Sequence, residues 1–483
     1  MAEGRLCPVP DRFDLVIIGM GSGGMPAAEF AASLPIRVAV VERDRVGGEC
    51  LWTGCVPSKS LLASAKAAHV MRTADRWGLP AVEPEIDTEQ VWKRIRAVQH
   101  DIATSDDDPR RFAALGVELV WGDARLLDAH TVAVGDRRLR ARFVLVCTGS
   151  RPAPLPIDGL DDAGYLTNLS VFELERAPSS IGVIGGGPIG IELAQAFRRL
   201  GVRTTVLEKL DQVLPRDEPA LVGILARILR DEGVELHLGV DIQRVRTEGG
   251  SKVIEGIEAG EHRRWEVEEI LLAVGRTPNL DGLGLDRLGV ETTPKGVVVD
   301  ERMRSSVPSV YAAGDAAGRF LFTHSAGHEA VRAVRDMFFP GTGKVSELVP
   351  WCTFTDPELA HVGLTAAEAR QQHGEGVEVH RVDLAHSDRA RAEGHAAGAI
   401  IVVTAGGKVV GAHLLAPAAG ELVHELALAV HKGLKLTELA SMVHIYPTLG
   451  TSVAQLAVEA AYAGARRFHW MVPAARLVDQ LRR

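Results

Sequence analysis

The chain is poor in cysteine, with five among 483 residues, so it carries no disulfide framework of the kind that staples small secreted domains. No apolar run approaches the roughly 18 residues that a membrane span requires, and no membrane association is expected. The opening stretch, MAEGRLCPVPDRFD, lacks a basic start followed by a long apolar segment. A secretory leader is therefore not expected, and the expected location is a reducing cytoplasm. Charge is also close to balanced. A formal net charge of -9 over this length gives no reason to expect nucleic acid or a membrane surface as partner. No low-complexity segment interrupts the chain, and no set of ligands at metal-binding spacing stands out, so no metal is expected. What remains is ordinary folded protein, 46% hydrophobic and 24% charged, with length for about three domains.

One stretch departs from the ordinary. Residues 47 to 59 read GGECLWTGCVPSK, with Cys50 and Cys55 five apart, Gly54 before the second and Pro57 after it. Five residues of regular helix climb about 7.5 Å, whereas a disulfide needs Cα atoms about 4.4–6.8 Å apart. The pair closes only if the turn between is distorted, and Gly54 supplies freedom for that. Pro57 suits a first helical turn, and residues 58 to 70 read as helix. Cys55 then sits at a helix N-terminus, where the dipole favours a thiolate. A redox-active dithiol is one reading. A structural disulfide and half of a zinc site are the others, although so short a loop stabilises little and zinc needs further ligands.

A second device occurs twice. DLVII at 14 to 18 stops at Gly19, and Gly19-x-Gly21-x-x-Gly24 leads into a small-residue helix and then RVAVVE, ending in Glu42. At 181 to 208, Gly185-x-Gly187-x-x-Gly190 repeats the pattern and closes on Glu208, and in both copies the acid lies 23 residues after the first glycine. Strand, glycines, helix, strand and acid form the dinucleotide fingerprint: the glycines bring a pyrophosphate onto a helix N-terminus, and the acid receives ribose hydroxyls. Two copies imply two dinucleotide sites, unless one is a duplicated unit that binds nothing.

Taken together, Gly-Gly-x-Cys-x4-Cys-Val-Pro-Ser-Lys resembles the active-site signature of the pyridine nucleotide–disulfide oxidoreductases, flavoenzymes that include dihydrolipoamide dehydrogenase and mercuric reductase. The likeness runs from about residue 12 to 463. It implies an α/β fold with two Rossmann-like domains, for FAD and NAD(P), and an α+β dimerisation domain. The expected division is 11–150 and 276–345 for the FAD-binding parts, 151–275 for NAD(P), and 346–470 for dimerisation, where an antiparallel sheet with helices on one face is expected. The first glycine copy leads into the cysteines, so its ligand is expected to be the flavin. Gly19, Gly21, Gly24, Glu42, Gly48, Lys59, Ala124, Thr148, Gly149, Gly314 and Asp315 are the implied FAD contacts. Gly185, Gly187, Gly190, Glu208 and Gly275 are those of the nicotinamide cofactor. Glu208 with no arginine immediately beyond favours NADH over NADPH, although Lys209 follows it. Cys147 and Cys352 read as buried, inert thiols.

The resemblance further implies a route: electrons pass from NAD(P)H through FAD to Cys55, the sulfur nearer the ring, freeing Cys50 to meet a small-molecule disulfide or thiol-type acceptor. Lys59 and Glu192 match a lysine–acid pair beside the nicotinamide. One departure stands out. Where the family has His-x-His-Pro-Thr and a glutamate five residues after the second histidine, supplied by the partner of a homodimer, this chain has His444-Ile445-Tyr446-Pro447-Thr448 and Thr451. Tyrosine, with a pKa near 10, is poorly matched to proton transfer at neutral pH, and His444 matches the outer, structural histidine. A metal ion or a quinone is the alternative acceptor, although the C-terminal cysteine pair of mercuric reductases is missing.

Overall fold

The computed structural model describes residues 11–341 and 344–467; Cys7 and the C-terminal tail from residue 468 lie outside the described residues. The β-branched run at 14 to 18 lies in the strand Asp11–Ile18, whose last four residues are buried. It pairs in parallel with Val38–Glu42 on one side and Arg137–Val146 on the other. Glu118–Trp121 extends the sheet beyond Val38–Glu42, and Thr131–Val134 and Ala124–Asp128 extend it beyond Arg137–Val146. Val310–Ala312, from far along the chain, adds a seventh strand against Arg137–Val146.

Between these two visits the chain builds a second parallel sheet in the order Glu235–Leu238, Arg203–Glu208, Ser180–Ile184, Glu269–Leu272, with a three-stranded antiparallel sheet over residues 241–267. Ser150–Pro152 and Arg276–Pro278, the outward and return crossings, pair antiparallel with each other. Asn279 ties them to the first sheet, its Nδ2 donating to the Thr148 carbonyl at 3.1 Å.

The cysteine-bearing helix Cys55–Arg72 is wedged between Thr88–Thr104 and Pro188–Arg199. Leu61, Ala65, Trp92, Ile95 and Phe197 share one core there. Trp92 and Phe197 are fully buried with ring centroids 6.0 Å apart; truncating such an aromatic costs about 3–5 kcal/mol. The helix therefore has little freedom to move its N-terminal turn.

The C-terminal sheet is antiparallel, in the order Trp351–Thr353, Glu358–Gly363, Lys408–Ala416, Ala399–Ala405, Val377–Asp383. Helices were expected on one face only, and here the structure differs. Ile400, Val402, Ala412 and Leu414 pack against helices Ala419–Lys432 and Gly450–Arg467. Their neighbours Leu359, Ile401, Val403 and Leu415 face the other way, into the core shared with Phe197, Leu221 and Leu225. The reason is legible in AIIVVTA, an unbroken apolar run rather than an alternating one, which suits a strand covered on both faces. Arg199, 5% exposed, stitches the two domains: it reaches Glu232 at 2.6 Å and Asp356 at 2.8 Å.

Among the described residues, no helix is long and apolar enough to cross a membrane, and no group of three or more His, Cys, Asp or Glu side chains could hold a metal ion.

Candidate functional site

The turn between the two cysteines is distorted as the spacing requires. A short helix, Gly48–Trp52, stops at Thr53, and a new one starts at Cys55. Gly54 is needed for close approach: a Cβ there would sit 2.9 Å from the Glu49 carbonyl oxygen and 3.3 Å from Cys50 Cα. Side chains from two other elements pin the turn. Gln99 Nε2 donates to the Leu51 and Trp52 carbonyls at 3.1 and 2.7 Å, and Asn168 Nδ2 donates to the Thr53 carbonyl at 3.2 Å.

Both sulfurs are free thiols. Cys55 is drawn down to about 6, chiefly by a hydrogen bond from Cys50 against the opposing effect of burial, with help from the Thr323 hydroxyl at 3.3 Å and from Lys59. Cys50 is pushed well up, because its proton is held against the Cys55 sulfur. The pair thus shares one proton, with the charge on the sulfur at the helix N-terminus.

The two glycine turns are built alike. A Cβ on Gly24 would sit 1.9 Å from the Gly19 carbonyl oxygen, and one on Gly190 would sit 2.1 Å from that of Gly185. The acids are also held alike. Glu42 accepts from the backbone N–H of Met20 at 2.7 Å, and Glu208 from that of Gly186 at 2.5 Å. Gly21 faces Gly48 across the first turn, whereas beside Gly187 the space is open.

A single cavity of about 2250 Å³ takes in both turns, both acids, the two thiols and Ala124, Thr148, Gly149, Gly275 and Asp315. That is more than twice the upper end of the usual range for one small-molecule pocket, about 300–1,000 Å³, and so gives room for two large ligands. The buried Thr148 hydroxyl has no hydrogen-bond partner among the described residues, as expected of a group meant for a ligand. The first turn, Glu42 and the Thr148–Gly149 segment therefore fit a dinucleotide such as FAD. A second recess, of about 450 Å³, reaches Cys50 past Met25, Asp106, Asp107 and His324.

Lys59 lies where expected, its Nζ 2.7 Å from Glu192, which is 5% exposed. The other oxygen of Glu192 accepts from the Phe354 N–H at 2.8 Å, and the lysine stands 4.4 Å from the centre of the Phe354 ring. Asp315 is in the turn Gly314–Ala316, and the Gly314 N–H is held by the buried Glu329 at 2.9 Å. Ser150 donates to Asp315, and Arg276 Nε lies 3.3 Å from it. The second arm of Arg276 pairs with Glu49, the residue before Cys50.

Glu49, Arg276, Asn168 and Gln99 were not singled out by sequence reasoning. A charged residue inside an otherwise small and apolar turn was the one available signal. Cys147 is buried with its thiol raised by burial, as expected of an inert thiol. Cys352 departs from the expectation of burial: it is half-buried on the wall of the main cavity. Its thiol is nevertheless pushed up, chiefly by desolvation.

The segment around Tyr446 is a surface loop. His444 has both ring nitrogens occupied, Nε2 by Glu425 at 2.9 Å and Nδ1 by the Met442 carbonyl at 3.2 Å. The Tyr446 hydroxyl donates to Asp388 at 3.0 Å. Thr451 Oγ1 donates back to the Thr448 carbonyl. None of these residues lines the main cavity or the second recess that hold the thiols.

Comparison with known proteins agrees with the geometry. Residues 13–330 match the family described as pyridine nucleotide-disulphide oxidoreductase, and residues 349–457 match its dimerisation domain. A dihydrolipoyl dehydrogenase of Chlorobaculum tepidum is 34% identical over 93% of this chain and 97% of its own length. A mercuric reductase of Bacillus cereus is 32% identical over 74% of this chain, which spans only 57% of that protein. The Cu(II) complex of the HOCl-induced flavoprotein disulfide reductase RclA from Escherichia coli superposes with a TM-score of 0.83 at 25% identity, covering 93% of this chain and 99% of that one.

Proposed function

The chain belongs to the pyridine nucleotide–disulphide oxidoreductase family, whose members are NAD(P)H-dependent flavoproteins, and from that premise we propose an NADH-driven disulfide reductase working through Cys50 and Cys55. The observation that carries the proposal is the placement of both thiols, with Cys55 at a helix N-terminus, in the same cavity as two dinucleotide turns. Bound FAD supplies the two-electron link between nicotinamide and disulfide. Gly19, Gly21, Gly24, Gly48, Thr148 and Gly149 would hold it, with Glu42 on its ribose and Asp315 on its ribityl chain.

Glu208 supports NADH. Its two oxygens are fixed by the N–H groups of Gly186 and Leu210, so a negative charge stands where a 2′-phosphate would go. Glu192 steadies the Lys59 charge at the nicotinamide end of the cavity. Cys50 meets the acceptor through the second recess. It gives its proton to the departing half of the acceptor disulfide while its sulfur joins the other half. Cys55 then attacks the Cys50 sulfur and expels that half as thiolate, which takes its proton from water. The acceptor gains two electrons and the Cys50–Cys55 disulfide returns.

A homodimer in a reducing cytoplasm is the proposed working form. The loop residues Val443 and Ile445, 95% and 80% exposed, suit a surface covered by a second copy. A metal ion or a quinone is the second reading of the acceptor. It is favoured by Tyr446 and Thr451 standing where the family has a histidine and a glutamate, which leaves this segment without a base matched to protonating a leaving thiol. Anaerobic NADH titration of the FAD-loaded protein, followed by lipoamide, glutathione disulfide, Hg(II) and quinones as acceptors, tests both readings. A long-wavelength thiolate-to-flavin band and loss of disulfide turnover in Cys50→Ser are expected. Full quinone turnover in Cys50→Ser, with no disulfide turnover in the unsubstituted enzyme, would establish the second reading instead.

A further inference from the structure

The residue before Cys50 has its own set of partners. One Glu49 oxygen pairs with Arg276 Nη2, and the other accepts from Asn168 Nδ2 at 2.5 Å. The same Asn168 amide also donates to the Thr53 carbonyl, so one side chain grips the cysteine turn at both ends. Asn168 comes from the segment just before the second parallel sheet, and Arg276 opens the return crossing. Arg276 Nε donates to Ser150 Oγ at 2.8 Å and lies beside Asp315. Two carboxylates thus share one guanidinium next to the dithiol. Burial pushes the Glu49 carboxyl up and Arg276 pulls it back.

We propose that Glu49 is a positioning residue: through Asn168 and Arg276 it ties the Cys50 turn to the nicotinamide half of the molecule, and its charge sets how readily the dithiol gives up electrons. The inference rests on the thiol relay proposed above. The physical argument has two parts. As a clamp, Glu49 fixes the turn that sets the separation and direction of the two sulfurs, since the Asn168 amide spans residues 49 and 53. As a charge, it opposes the Cys55 thiolate, so it disfavours the reduced pair and makes that pair a stronger reductant.

Two variants separate these parts. Glu49→Gln keeps an oxygen for Asn168 and removes the charge, whereas Glu49→Ala removes both. FAD-loaded enzyme is equilibrated with oxidised and reduced dithiothreitol, and the Cys50–Cys55 redox state is read by the thiolate-to-flavin band. Both variants are expected to shift the thiol–disulfide equilibrium about tenfold towards the dithiol, which for a two-electron couple is about 30 mV. The ratio of lipoamide turnover to ferricyanide turnover, both driven by NADH, is expected to fall at least tenfold in Glu49→Ala and less in Glu49→Gln. Unshifted equilibria in both variants overturn the inference, as does a parallel loss of both turnovers. An unsubstituted enzyme with no titrating sulfur pair overturns the thiol relay itself, and this inference with it.

Discussion

Replacing Cys50 with alanine removes the donor that does most to hold Cys55 as thiolate. In the intact pair Cys55 is drawn from 9.0 to about 6, first by Cys50, then by Thr323 and Lys59, with burial working the other way. A hydrogen bond to a charged acceptor is worth about 1.5–3 kcal/mol. Cys55 opens onto the cavity, so solvent screening keeps the loss near the lower figure. At about 1.36 kcal/mol per pKa unit, the midpoint rises by about one, to about 7. It stops short of 9.0 because Thr323, Lys59 and the helix N-terminus remain.

The assay is the pH dependence of the thiolate-to-flavin band. It is recorded in FAD-loaded Cys50→Ala directly, and in the unsubstituted enzyme after anaerobic reduction by one equivalent of NADH. The sign follows from a depressed pKa: the band is present above the midpoint and bleaches as pH falls through it. Half-bleaching near pH 6 is expected for the intact dithiol and near 7 for Cys50→Ala. Cys50→Ser should fall between, since a hydroxyl still donates. A Cys50→Ala midpoint at or below that of the intact dithiol would refute the shared proton.

Glu192→Gln keeps the bond to the Phe354 N–H but leaves Lys59 without its counter-charge; stopped-flow flavin reduction by NADH should slow about tenfold, or about 1.4 kcal/mol of barrier, and an unchanged rate would count against the pair. Glu208→Ala removes the fixed charge at the strand end and should raise the NADPH-to-NADH ratio of kcat/KM about tenfold, about 1.4 kcal/mol, by initial rates with each nucleotide. Tyr446→Phe loses only a hydroxyl bound to Asp388 and should leave lipoamide turnover within about twofold; a hundredfold fall would make that hydroxyl a proton donor to a partner's thiols.

Much of the site was legible because it depends on local rules. A glycine triplet between strand and helix has one steric meaning, and the close backbone approaches at Gly24 and Gly190 are the reason no side chain is tolerated there. The cysteine spacing carried its own geometric demand, met by Gly54. What stayed hidden depends on long-range placement. Glu49 reaches Arg276 across 227 positions and Asn168 across 119, and no periodicity connects them. The C-terminal sheet was misread for a related reason: attention to its own helices missed that its outer face is covered by Phe197, Leu221 and Leu225 from the nicotinamide half. Cys352, read as a buried thiol, stands on the cavity wall because the strand Trp351–Thr353 forms the sheet's edge.

The two glycine turns are near copies in backbone, yet what stands opposite each one differs, and that difference supports the roles proposed for them. At the first, the helix Gly48–Trp52 closes over the turn: a Cβ on Gly48 would lie 2.7 Å from Gly21 Cα, so the two backbones are in contact where a pyrophosphate would be enclosed. At the second, a Cβ on Gly187 would meet nothing within 4 Å. An enclosed ligand leaves only when packed structure opens, and here the closing element is the cysteine turn itself, pinned by Gln99 and Asn168. An open turn lets its ligand exchange. The first turn would thus suit a resident group and the second a consumed one, in line with the proposed assignment. The helix that would enclose the first ligand carries Cys50, and the next helix begins at Cys55, the sulfur expected nearer the ring, so both thiols belong to the element that closes over that turn.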